Sequence, residues 1–592
     1  MPIIVQKFGG TSVADSKKIL AAARKAIRAR NEGNQVVTVV SAMGHTTDEL
    51  IGLAKQITDQ PPLREMDMLL STGEQVSVAL MAMAIHAQGH QAISMTGGQM
   101  GIMTDGTHTK ARIRKISADR LRQALDEGNI VIAAGFQGVS PAEEITTLGR
   151  GGSDTTAVAL AAVLHAGSCE IYTDVDGVYT TDPRLVPEAR RVRQISYEEM
   201  LELASAGAGV VHNRSIEFAK KFSVPVHVRS SFSDQPGTMI TAEPEDPDQP
   251  VCGAAMVKNE ARVTVLGVPD RPGAASTIFS KIAARNIALD MIVQNVAAAG
   301  LADVSFTVAR DDLPATLKAV EEAARQLGAQ GYNYDDNVSK ISVVGLGMKS
   351  QPGVARKMFR ALADHEINLL MITTSEIKIS VLVDRESALE ALRTVHAAFR
   401  LDVGPGERPA AGLPAPGVPA ANNTADLVAR MQGMEDLLIE DVILDETQAR
   451  VTLSGVPDRP GMAAQLFEEI AAGGIIVDMI VQSVGREGSA SLSFTVPQAD
   501  LSTSLQIAAA LAGRLGCPAP AGSPQVAKLS VLGVGMRSQT GAAKRLFESL
   551  AAAAINVVMI STSEVRLNVV VDGSQGPRTL EVLRKEFADV II

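Results

Sequence analysis

The sequence contains no tryptophan, and aromatic residues occupy only 3% of its 592 positions. Its three cysteines, Cys169, Cys252 and Cys517, lie far apart and have neither the spacing of a zinc site nor the density of a disulfide framework. No run of about eighteen apolar residues occurs, so we expect no membrane-spanning helix. The first residues lack the basic-then-apolar order of a secretory signal, and we expect none. These absences predict a cytoplasmic protein with free thiols and no metal site.

Positively charged side chains are fewer than negatively charged ones. Lysine and arginine number 55 against 66 aspartates and glutamates, which gives a formal net charge of −11. Such a balance disfavours non-specific binding to nucleic acid. The chain is too long for one hydrophobic core, so several domains are expected.

Strand-like and helix-like segments alternate over the first part of the chain. This alternation predicts an α/β fold, an αβα sandwich with a mainly parallel sheet and helices on both faces. The segments with strand patterns are Val36–Ser41, Ala92–Met95, Ile130–Ala134, Glu170–Thr173 and Val224–Val228, and those with helix patterns include Ser16–Arg30, Met66–His86 and Asp154–His165. An acidic stretch broken by prolines, 243–250, ends this first domain.

The clearest sign of chemistry lies at the amino terminus, where an apolar strand leads into Lys7, Gly9 and Gly10. Glycines let backbone N–H groups approach a phosphate closely, and the start of the following helix adds favourable partial charge. Lys7 can contribute a full positive charge to a phosphoryl group in transfer. The arrangement predicts a phosphate-handling sheet edge, although no G-x-x-x-x-G-K-[ST] loop is present.

Two further glycine-containing turns follow predicted strands. In Ser41-Ala-Met-Gly-His-Thr-Thr47 the hydroxyls suit an anion or a simple helix cap. In Thr147-Leu-Gly-Arg-Gly-Gly-Ser-Asp154, Arg150 can grip a carboxylate with two parallel hydrogen bonds. Ser153 or Asp154 is suited to cap the next helix. Because capping requires neither an arginine nor three neighbouring glycines, a binding loop is favoured.

Carboxylates cluster beyond the strand that ends near Thr173. The stretch Tyr172-Thr-Asp-Val-Asp-Gly-Val-Tyr-Thr-Thr-Asp-Pro-Arg184 suits the ribose, base and phosphates of a nucleotide with its Mg²⁺. It lacks the remaining ligands of a calcium loop. Glu74 lies in a predicted helix, where a lone glutamate usually faces solvent.

The remainder of the chain is a duplication. Gly-Val-Pro-Asp-Arg-Pro-Gly occurs at 267–273 and at 455–461, an offset of 188 residues (461 − 273) that every matched motif shares. Each unit repeats internally with an offset of 80 (353 − 273). The order strand, glycine turn, helix, strand, strand, helix, strand predicts four ferredoxin-like βαββαβ modules in two pairs. The predicted segments are 1–245 for the first domain, 251–336 and 337–401 for the first pair, 402–433 for a Pro/Gly/Ala linker, and 434–524 and 525–592 for the second pair.

Taken together, Lys7-Phe-Gly-Gly-Thr-Ser12, Ser41-Ala-Met-Gly44, the Arg150 turn and the Thr173–Arg184 stretch resemble the motifs of aspartate kinases, members of the amino-acid-kinase fold family. The modules resemble ACT domains, which bind amino-acid effectors. The resemblance covers nearly the whole chain except the linker. It implies ATP-dependent phosphorylation of the β-carboxylate of L-aspartate, with Mg²⁺ accompanying ATP, as the first step towards lysine (through diaminopimelate), threonine and methionine. Two ACT domains are usual, and four resemble a less common subgroup.

The resemblance also implies roles by position. Lys7 would stabilise the transferring phosphoryl group, Glu74 would hold the substrate ammonium, and Arg150 would clamp a substrate carboxylate. The implied catalytic residues are Lys7, Glu74 and Asp154, the implied substrate-binding residues are Ser41, Thr47, Glu74, Arg150, Ser153 and Asp154, and the implied ATP-binding residues are Lys7, Gly9, Gly10, Thr173, Asp174, Tyr179, Asp182 and Arg184. Gly209 stands where the family often has a lysine, so one nucleotide contact is not matched.

The ACT resemblance implies feedback regulation by lysine and threonine, and a homo-oligomer formed through the ACT sheets. For the first pair the implied effector residues are Asp270, Gly273, Asp290, Gln294 and Asn295, with Asn368 from the partner module, and for the second pair Asp458, Gly461, Asp478, Gln482, Ser483 and Asn556. Ser483 replaces the asparagine of the first pair, which implies a different affinity or ligand. On the motif alone, turn and strand-edge residues of a packing module are an equal alternative.

Two other functions remain open at this point. A related kinase would act on glutamate, acetylglutamate or a nucleotide, and only a substrate comparison separates it from an aspartate kinase. A sensor with a degenerate kinase domain is the non-enzyme alternative. The presence of Lys7, Glu74, Arg150 and Asp154 argues against it.

Overall fold

The computed structural model describes residues 1–296, 300–349, 351, 353–405, 433–484, 488–536 and 541–591. Most of the predicted linker, 402–433, therefore lies outside the described residues. The described chain forms an amino-terminal domain followed by a region built on one continuous sheet.

The amino-terminal domain is a sandwich of helices around a central sheet. Its strands are β1 Ile3–Phe8, β2 Gln35–Val40, β3 Ala92–Met95, β4 Ile102–Thr104, β5 Ile113–Ile116, β6 Ile130–Ala134, β7 Gln137–Val139, β8 Ile145–Thr147, β9 Ser168–Thr173, β10 Gln194–Ser196, β11 Val226–Ser230 and β12 Thr238–Thr241. Its helices are α1 Ser16–Asn31, α2 Thr46–Ile57, α3 Leu63–His86, α4 Asp119–Asp126, α5 Gly152–Leu164, α6 Tyr197–Ser205 and α7 Asn213–Phe222. The central strand order is β10-β12-β11-β9-β1-β2-β6-β3, parallel except between β11 and β12. A smaller sheet has the order β5-β4-β7-β8.

The two faces of β2 show how the sequence specifies this sandwich. Val36 and Val40 pack into a core shared with α1 and α3, whereas Val37 and Val39 pack into the opposite core with α5. Alternate residues of a strand point to opposite faces, so a continuous valine run suits a strand buried on both sides. The predicted αβα fold is confirmed.

Helix α3 has the length and composition of a membrane span, with 24 residues, and it is the one helix of the described ranges that does. However, 56% of its apolar window is buried inside the protein. It packs against α1 and the strands β3 and β6. This helix is therefore a core element of the first domain, and it carries Glu74.

One sheet joins all four modules of the following region. Its strands are β13 Gly253–Pro269, β14 Asp290–Val296, β15 Leu301–Ala309, β16 Gly331–Val344, β17 Met371–Thr374, β18 Lys378–Asp384, β19 Leu438–Pro457, β20 Ile480–Val484, β21 Ser489–Pro497, β22 Ala521–Val534, β23 Met559–Thr562 and β24 Arg566–Asp572. The helices are α8 Ala274–Ala283, α9 Leu313–Leu327, α10 Val354–Asp364, α11 Ala388–Ala398, α12 Met462–Ala472, α13 Leu501–Leu515, α14 Gly541–Ala552 and α15 Gly576–Glu586. Among the described strands the order is β14-β15-β13-β16-β18-β17-β20-β21-β19-β22-β24-β23.

The strand order inside the modules differs from the predicted one. β13 and β16 are long enough to serve two modules. Residues 262–266 pair with 331–335 in the first module, and 253–257 pairs with 340–344 in the second. The start of β19 serves the fourth module in the same way. The expectation that the second and fourth modules end on a strand of their own is therefore wrong, since a segment ahead of each pair already fills that edge.

The two repeated units face each other within one chain. β17 pairs with β20, which makes the sheet continuous across the units. Phe279 lies 5.2 Å from Phe547 between ring centroids, and its repeat counterpart Phe467 lies 5.7 Å from Phe359. The first module thus packs on the fourth and the second on the third. The homo-oligomer expected from ACT sheets stays a prediction.

Candidate active site and effector sites

The central cation of the candidate active site is Lys7, on β1 in the middle of the sheet. Its backbone lies between those of Val39 and Ile171 on the neighbouring strands. Its Nζ atom is 2.5 Å from Oδ1 of Asp154, in the first turn of α5, and solvent reaches only 11% and 13% of the two side chains. The two buried charges compensate each other. The fold thus brings the first and third motifs together.

Helix α5 starts on a glycine that no other residue can replace without strain. Gly151 is the N-cap with φ 70°, and a Cβ there would lie 2.3 Å from Cγ of His212. Among the described residues no side chain caps the helix, so the expectation that Ser153 or Asp154 is the cap is wrong. Asp154 pairs with Lys7 instead, and the hydroxyl of Ser153 lies against Gly135, where a Cβ would come within 2.7 Å.

Glu74 is buried in the middle of α3 and points towards the second motif. Its Oε1 atom accepts a hydrogen bond from the amide of Ala42 at 3.0 Å, and Oε2 is buried without a hydrogen-bond partner among the described residues. Burial raises the pKa of Glu74 to about 7, although the Ala42 amide opposes the shift. The helix comes this close because residue 73 is glycine, whose Cβ would lie 2.8 Å from that of Ala42. An unpartnered buried carboxylate oxygen is suited to a cationic ligand.

The first and second glycine turns touch each other. The amide of Gly44 donates to the carbonyl of Gly10 at 3.0 Å, and a Cβ at Gly10 would lie 2.8 Å from the carbonyl oxygen of Ala42. Ser41 directly follows β2, and Thr47 lies in the first turn of α2. The predicted substrate hydroxyls therefore stand beside the turn that follows Lys7.

A cavity of about 900 Å³ is lined in part by Asp154. Arg150 lines it and is exposed, and Lys110 and Arg112 add positive charge. Two more cations and five carboxylates also line it, and Arg150 is the exposed guanidinium among them, suited to a carboxylate or phosphate ligand. Gly209 lines the same cavity, and no atom of the described residues lies within 4 Å of the position of a Cβ there. Glycine at this position is therefore not required by packing.

Thr173 ends β9 next to the first glycine turn. The amide of Gly9 donates to the carbonyl of the residue before Thr173 at 3.3 Å, and the amide of Ser231 donates to the carbonyl of Thr173 at 2.8 Å. The hydroxyl oxygens of Ser12 and Ser231 are 2.5 Å apart. Sequence reasoning missed Ser231, although a strand that runs into Ser230-Ser-Phe-Ser233 is a usable signal for an anion-binding edge.

Of the other predicted nucleotide-binding residues, Asp174 lies next to Thr173, whereas Tyr179, Asp182 and Arg184 make contacts elsewhere. Asp174 is exposed one residue beyond Thr173. Tyr179 forms a backbone bridge with Arg191, and Asp182 accepts hydrogen bonds from Arg184, which hold its pKa below the ordinary value. In the part of the chain that the structure describes, no hydrogen bond or ion pair joins Tyr179, Asp182 or Arg184 to Lys7. Their assignment to ATP stays a prediction.

Sequence reasoning also missed a buried carboxylate that supports the Arg150 turn. Asp67, fully buried on α3, accepts hydrogen bonds from the hydroxyl of Thr147 at 2.5 Å and from the amide of Thr109 at 3.0 Å. Nδ1 of His108 lies 2.7 Å from the same carboxylate. The signal was an aspartate inside the apolar run Met66–Leu70, where a charged group needs a buried partner.

The predicted effector residues pair across the two units rather than within one unit. Nδ2 of Asn556 donates to Asp270 at 2.8 Å, and Nδ2 of Asn368 donates to Asp458 at 2.8 Å. The expectation that Asn368 completes the site of Asp270 is therefore wrong. The reason is the packing of the first module on the fourth and of the second on the third.

Each cross-unit pair borders a small cavity. The cavities have volumes of about 20 Å³ and 10 Å³. The first is lined by Gly273, Gln294 and Asn556, and the second by Gly461, Gln482, Asn368 and Asp458. Both are smaller than an amino acid, so a ligand requires the modules to move apart.

Two predicted effector carboxylates point elsewhere. Asp290 forms an ion pair with Lys340, and Asp478 forms the equivalent pair with Lys528. In the part of the chain that the structure describes, neither aspartate lines the small cavities. Ser483 lies at the junction of β20 with β17, and the side chain of Asn295 lies outside the described part of the structure.

Comparison with known proteins covers both halves of the chain. The amino acid kinase family matches residues 2–230, and the ACT domain matches 262–325, 341–399, 451–510 and 529–587. An aspartate kinase of Pseudomonas putida is 52% identical over 404 residues, which cover 68% of this chain and 98% of the relative. An aspartokinase of Geobacillus stearothermophilus is also 52% identical, over 402 residues covering 68% of this chain and 98% of its own.

Solved structures show the same likeness. The aspartate kinase from Synechocystis is 40% identical, with 99% of this chain and 98% of that chain covered and a TM-score of 0.52. Aspartokinase III from E. coli, solved with aspartate and ADP, is 26% identical, with 67% and 99% covered and a TM-score of 0.57. The same enzyme solved with lysine and aspartate is 25% identical, with 67% and 99% covered and a TM-score of 0.53.

Proposed function

The chain belongs to the aspartate kinase family, and on this premise we propose that it transfers the γ-phosphoryl group of ATP to the β-carboxylate of L-aspartate, giving 4-phospho-L-aspartate. The observation that carries the proposal is the ion pair of Lys7 with Asp154 near the carboxyl end of β1. The turn after β1 contacts the turn after β2, where Glu74 bonds to Ala42, and Arg150 lines the cavity that Asp154 borders. The ligands of the E. coli relative, aspartate and ADP, support it.

The difficulty of this reaction is repulsion between two anions. The β-carboxylate of aspartate has a pKa of roughly 3.9, so it is already ionised at neutral pH and needs no general base. Catalysis then depends on positioning and on positive charge near the transferring group. Lys7 supplies that charge beside the glycine turn, where Asp154 holds its ammonium group in place before the substrates bind.

The substrate's own charges match the remaining residues. Oε2 of Glu74 accepts a hydrogen bond from the ammonium group, and the guanidinium of Arg150 binds a carboxylate. Ser41, Thr47 and Ser153 supply hydroxyl groups around the same edge. A ligand with one cation and two anions therefore fits better than a nucleotide.

Mg²⁺ arrives with ATP and supplies further positive charge to the phosphates. Oxygen ligands suit this ion. Asp174 is exposed next to Thr173, and Asp176 accepts a hydrogen bond from Ser233 at 2.7 Å. Both carboxylates therefore lie just beyond the carboxyl end of β9. We propose that these two residues hold the ion or its water shell.

The proposal is tested by ADP release with L-aspartate, glutamate, acetylglutamate or a nucleotide as acceptor. Hydroxylamine traps an acyl phosphate as a hydroxamate, which identifies the product. We expect aspartate to be preferred at least a hundredfold. Preference for another acceptor would replace the proposal with a related kinase, and no turnover with any would favour the sensor.

Regulation is proposed at the two cross-unit cavities, with lysine and threonine as effectors in feedback on the pathway to lysine, threonine and methionine. The lysine found in the E. coli relative supports this choice. Because each cavity is smaller than an amino acid, an effector that binds there favours a state with the modules further apart. Binding is thereby linked to the arrangement of all four modules.

The assignment of the effector sites is tested by calorimetry with lysine alone, with threonine alone and with the two together. Asn556→Ala should abolish binding at the site of Asp270 and leave the site of Asp458 intact, and Asn368→Ala should do the reverse. Asp290→Asn serves as a matched control outside both cavities. Equal loss in both asparagine variants, or in neither, would remove the assignment. A cytoplasmic location, consistent with three free cysteines, and a homo-oligomer complete the proposal.

A further inference from the structure

A four-residue segment, 433–436, docks the second pair of modules onto the first domain. The side chain of Met434 is buried in the core that also holds Leu148. Nζ of Lys221 donates to the carbonyls of Gly433 at 3.3 Å and Asp436 at 3.1 Å. This docking segment lines the cavity that contains Arg150.

Glu435 is the charged centre of the docking segment. Its carboxylate lies 2.5 Å from Nη2 of Arg214 and accepts a hydrogen bond from Nε at 2.7 Å. Oε1 also accepts from the amide of Ile113 at 3.1 Å. Solvent reaches 6% of the Glu435 side chain and 16% of that of Arg214. The pair is thus shielded, and its charges depend on each other.

Arg214 carries this contact to the substrate turn. Its Nη1 atom donates to the carbonyl of Leu148 at 2.5 Å, and Nη2 donates to the carbonyl of Ala111 at 2.6 Å. Leu148 is two residues before Arg150. The helix of Arg214 also presses on the turn through His212, which lies against Gly151. One guanidinium therefore fastens the start of the Arg150 turn, at Leu148, to the neighbouring segment at Ala111.

We propose that Glu435 is a positioning residue, which fixes Arg214 and through it holds the Arg150 turn in the geometry that binds the substrate carboxylate. The inference rests on the proposed function for the identity of that substrate. Without the carboxylate, a buried guanidinium has to turn towards water or another anion, and the two carbonyls lose their donor. The affinity for the substrate carboxylate then falls.

The place of Glu435 in the chain gives this contact a further meaning. Strand β19 starts at Leu438, three residues later, and ends just before Asp458 of the second effector site. The support of the substrate turn therefore comes from the regulatory region and not from the first domain alone.

The test uses the full chain with Glu435→Gln, Glu435→Asp and the matched control Glu440→Gln. Glu440 also forms a cross-domain ion pair, with Lys220 at 3.0 Å, but among the described residues no hydrogen bond or ion pair joins that pair to the Arg150 turn. KM for aspartate, KM for ATP and kcat are measured for each variant. Hydrogen exchange of the amides in 147–152 is measured without substrate.

For Glu435→Gln we expect KM for aspartate to rise about tenfold, KM for ATP to stay within twofold, and the amides of 147–152 to exchange at least fivefold faster. Glu435→Asp should fall between wild type and Glu435→Gln, and Glu440→Gln should change none of these quantities. Should Glu435→Gln fail to fold, Glu435→Asp decides, with a threefold rise in KM for aspartate as the supporting result.

An unchanged KM for aspartate, equal rises in both Michaelis constants, or the same effect in Glu440→Gln would overturn the inference while leaving the proposed function intact. Failure of the wild-type chain to phosphorylate aspartate would instead contradict the proposed function. Hydrogen exchange then decides the positioning role alone, since unchanged protection of 147–152 in Glu435→Gln would overturn it.

Discussion

Glu74 offers the sharpest test of the substrate site, because its ionised carboxylate destabilises the folded chain and yet is the form that binds the substrate ammonium. Burial raises its pKa to about 7 from the ordinary 4.5. That difference corresponds to about 3 kcal/mol in favour of the neutral form in the folded chain. Below pH 4.5 the carboxyl is neutral in the folded and unfolded chains alike, so its contribution to stability is fully present. This contribution to stability is lost progressively as the pH rises from 4.5 through 7.

Glu74→Gln should therefore stabilise the fold at high pH and impair the enzyme. At pH 8 we expect the variant to be more stable than wild type by about 3 kcal/mol, with the difference shrinking as the pH falls towards 5. The amide cannot match the substrate ammonium with a charge, so KM for aspartate should rise by about a hundredfold. Thermal unfolding and steady-state kinetics across this range measure both effects.

The pH profile of the wild-type enzyme follows from the same group. Only ionised Glu74 binds the ammonium group, and about one site in eleven is ionised at pH 6 against nine in ten at pH 8. We therefore expect kcat/KM for aspartate to fall about tenfold between pH 8 and pH 6, at saturating MgATP. The acid limb should be absent in Glu74→Gln. An unchanged limb in the variant, or a variant that is less stable at pH 8, would refute the reasoning.

The remaining predictions concern the glycine turns and the central cation. Lys7→Ala should lower kcat by about 10²–10³-fold while the fold survives, because a positioned charge on the transferring group is lost; near-normal turnover would contradict the role. Gly151→Ala should cost at least 2 kcal/mol or so of stability, since the residue has φ 70° and its Cβ would meet His212, and an unchanged melting temperature would contradict this. Gly209→Lys should leave stability within about 0.5 kcal/mol, because its Cβ meets no described atom within 4 Å; a folding defect would contradict it.

The first domain was predictable because its buried strands are continuous apolar runs. The predicted bounds of Ala92–Met95 and Ile130–Ala134 agree with the structure, and Lys7 could be placed at a strand end from the glycines that follow it. The strands of the smaller sheet, such as Ile102–Thr104, have three or four residues and no period that a sequence can show. They escaped prediction for that reason.

Contacts between distant segments set the limit of the sequence argument in the second half. The internal offset indicates four modules but not which module packs on which, and so Asn368 was assigned to Asp270 when it bonds to Asp458. Arg214 and Glu435 are 221 residues apart, and neither stands in a pattern that points to the other. Such pairs follow from packing of whole modules, which local periodicity does not encode.

The most direct test of the central claim is a crystal structure with L-aspartate and a non-hydrolysable ATP analogue bound. The account predicts that Nζ of Lys7 contacts the γ-phosphate, that Glu74 accepts from the ammonium group, and that Arg150 binds a carboxylate of the amino acid. A complex in which both ligands lie away from this sheet edge, with Lys7 still paired only to Asp154, would contradict it.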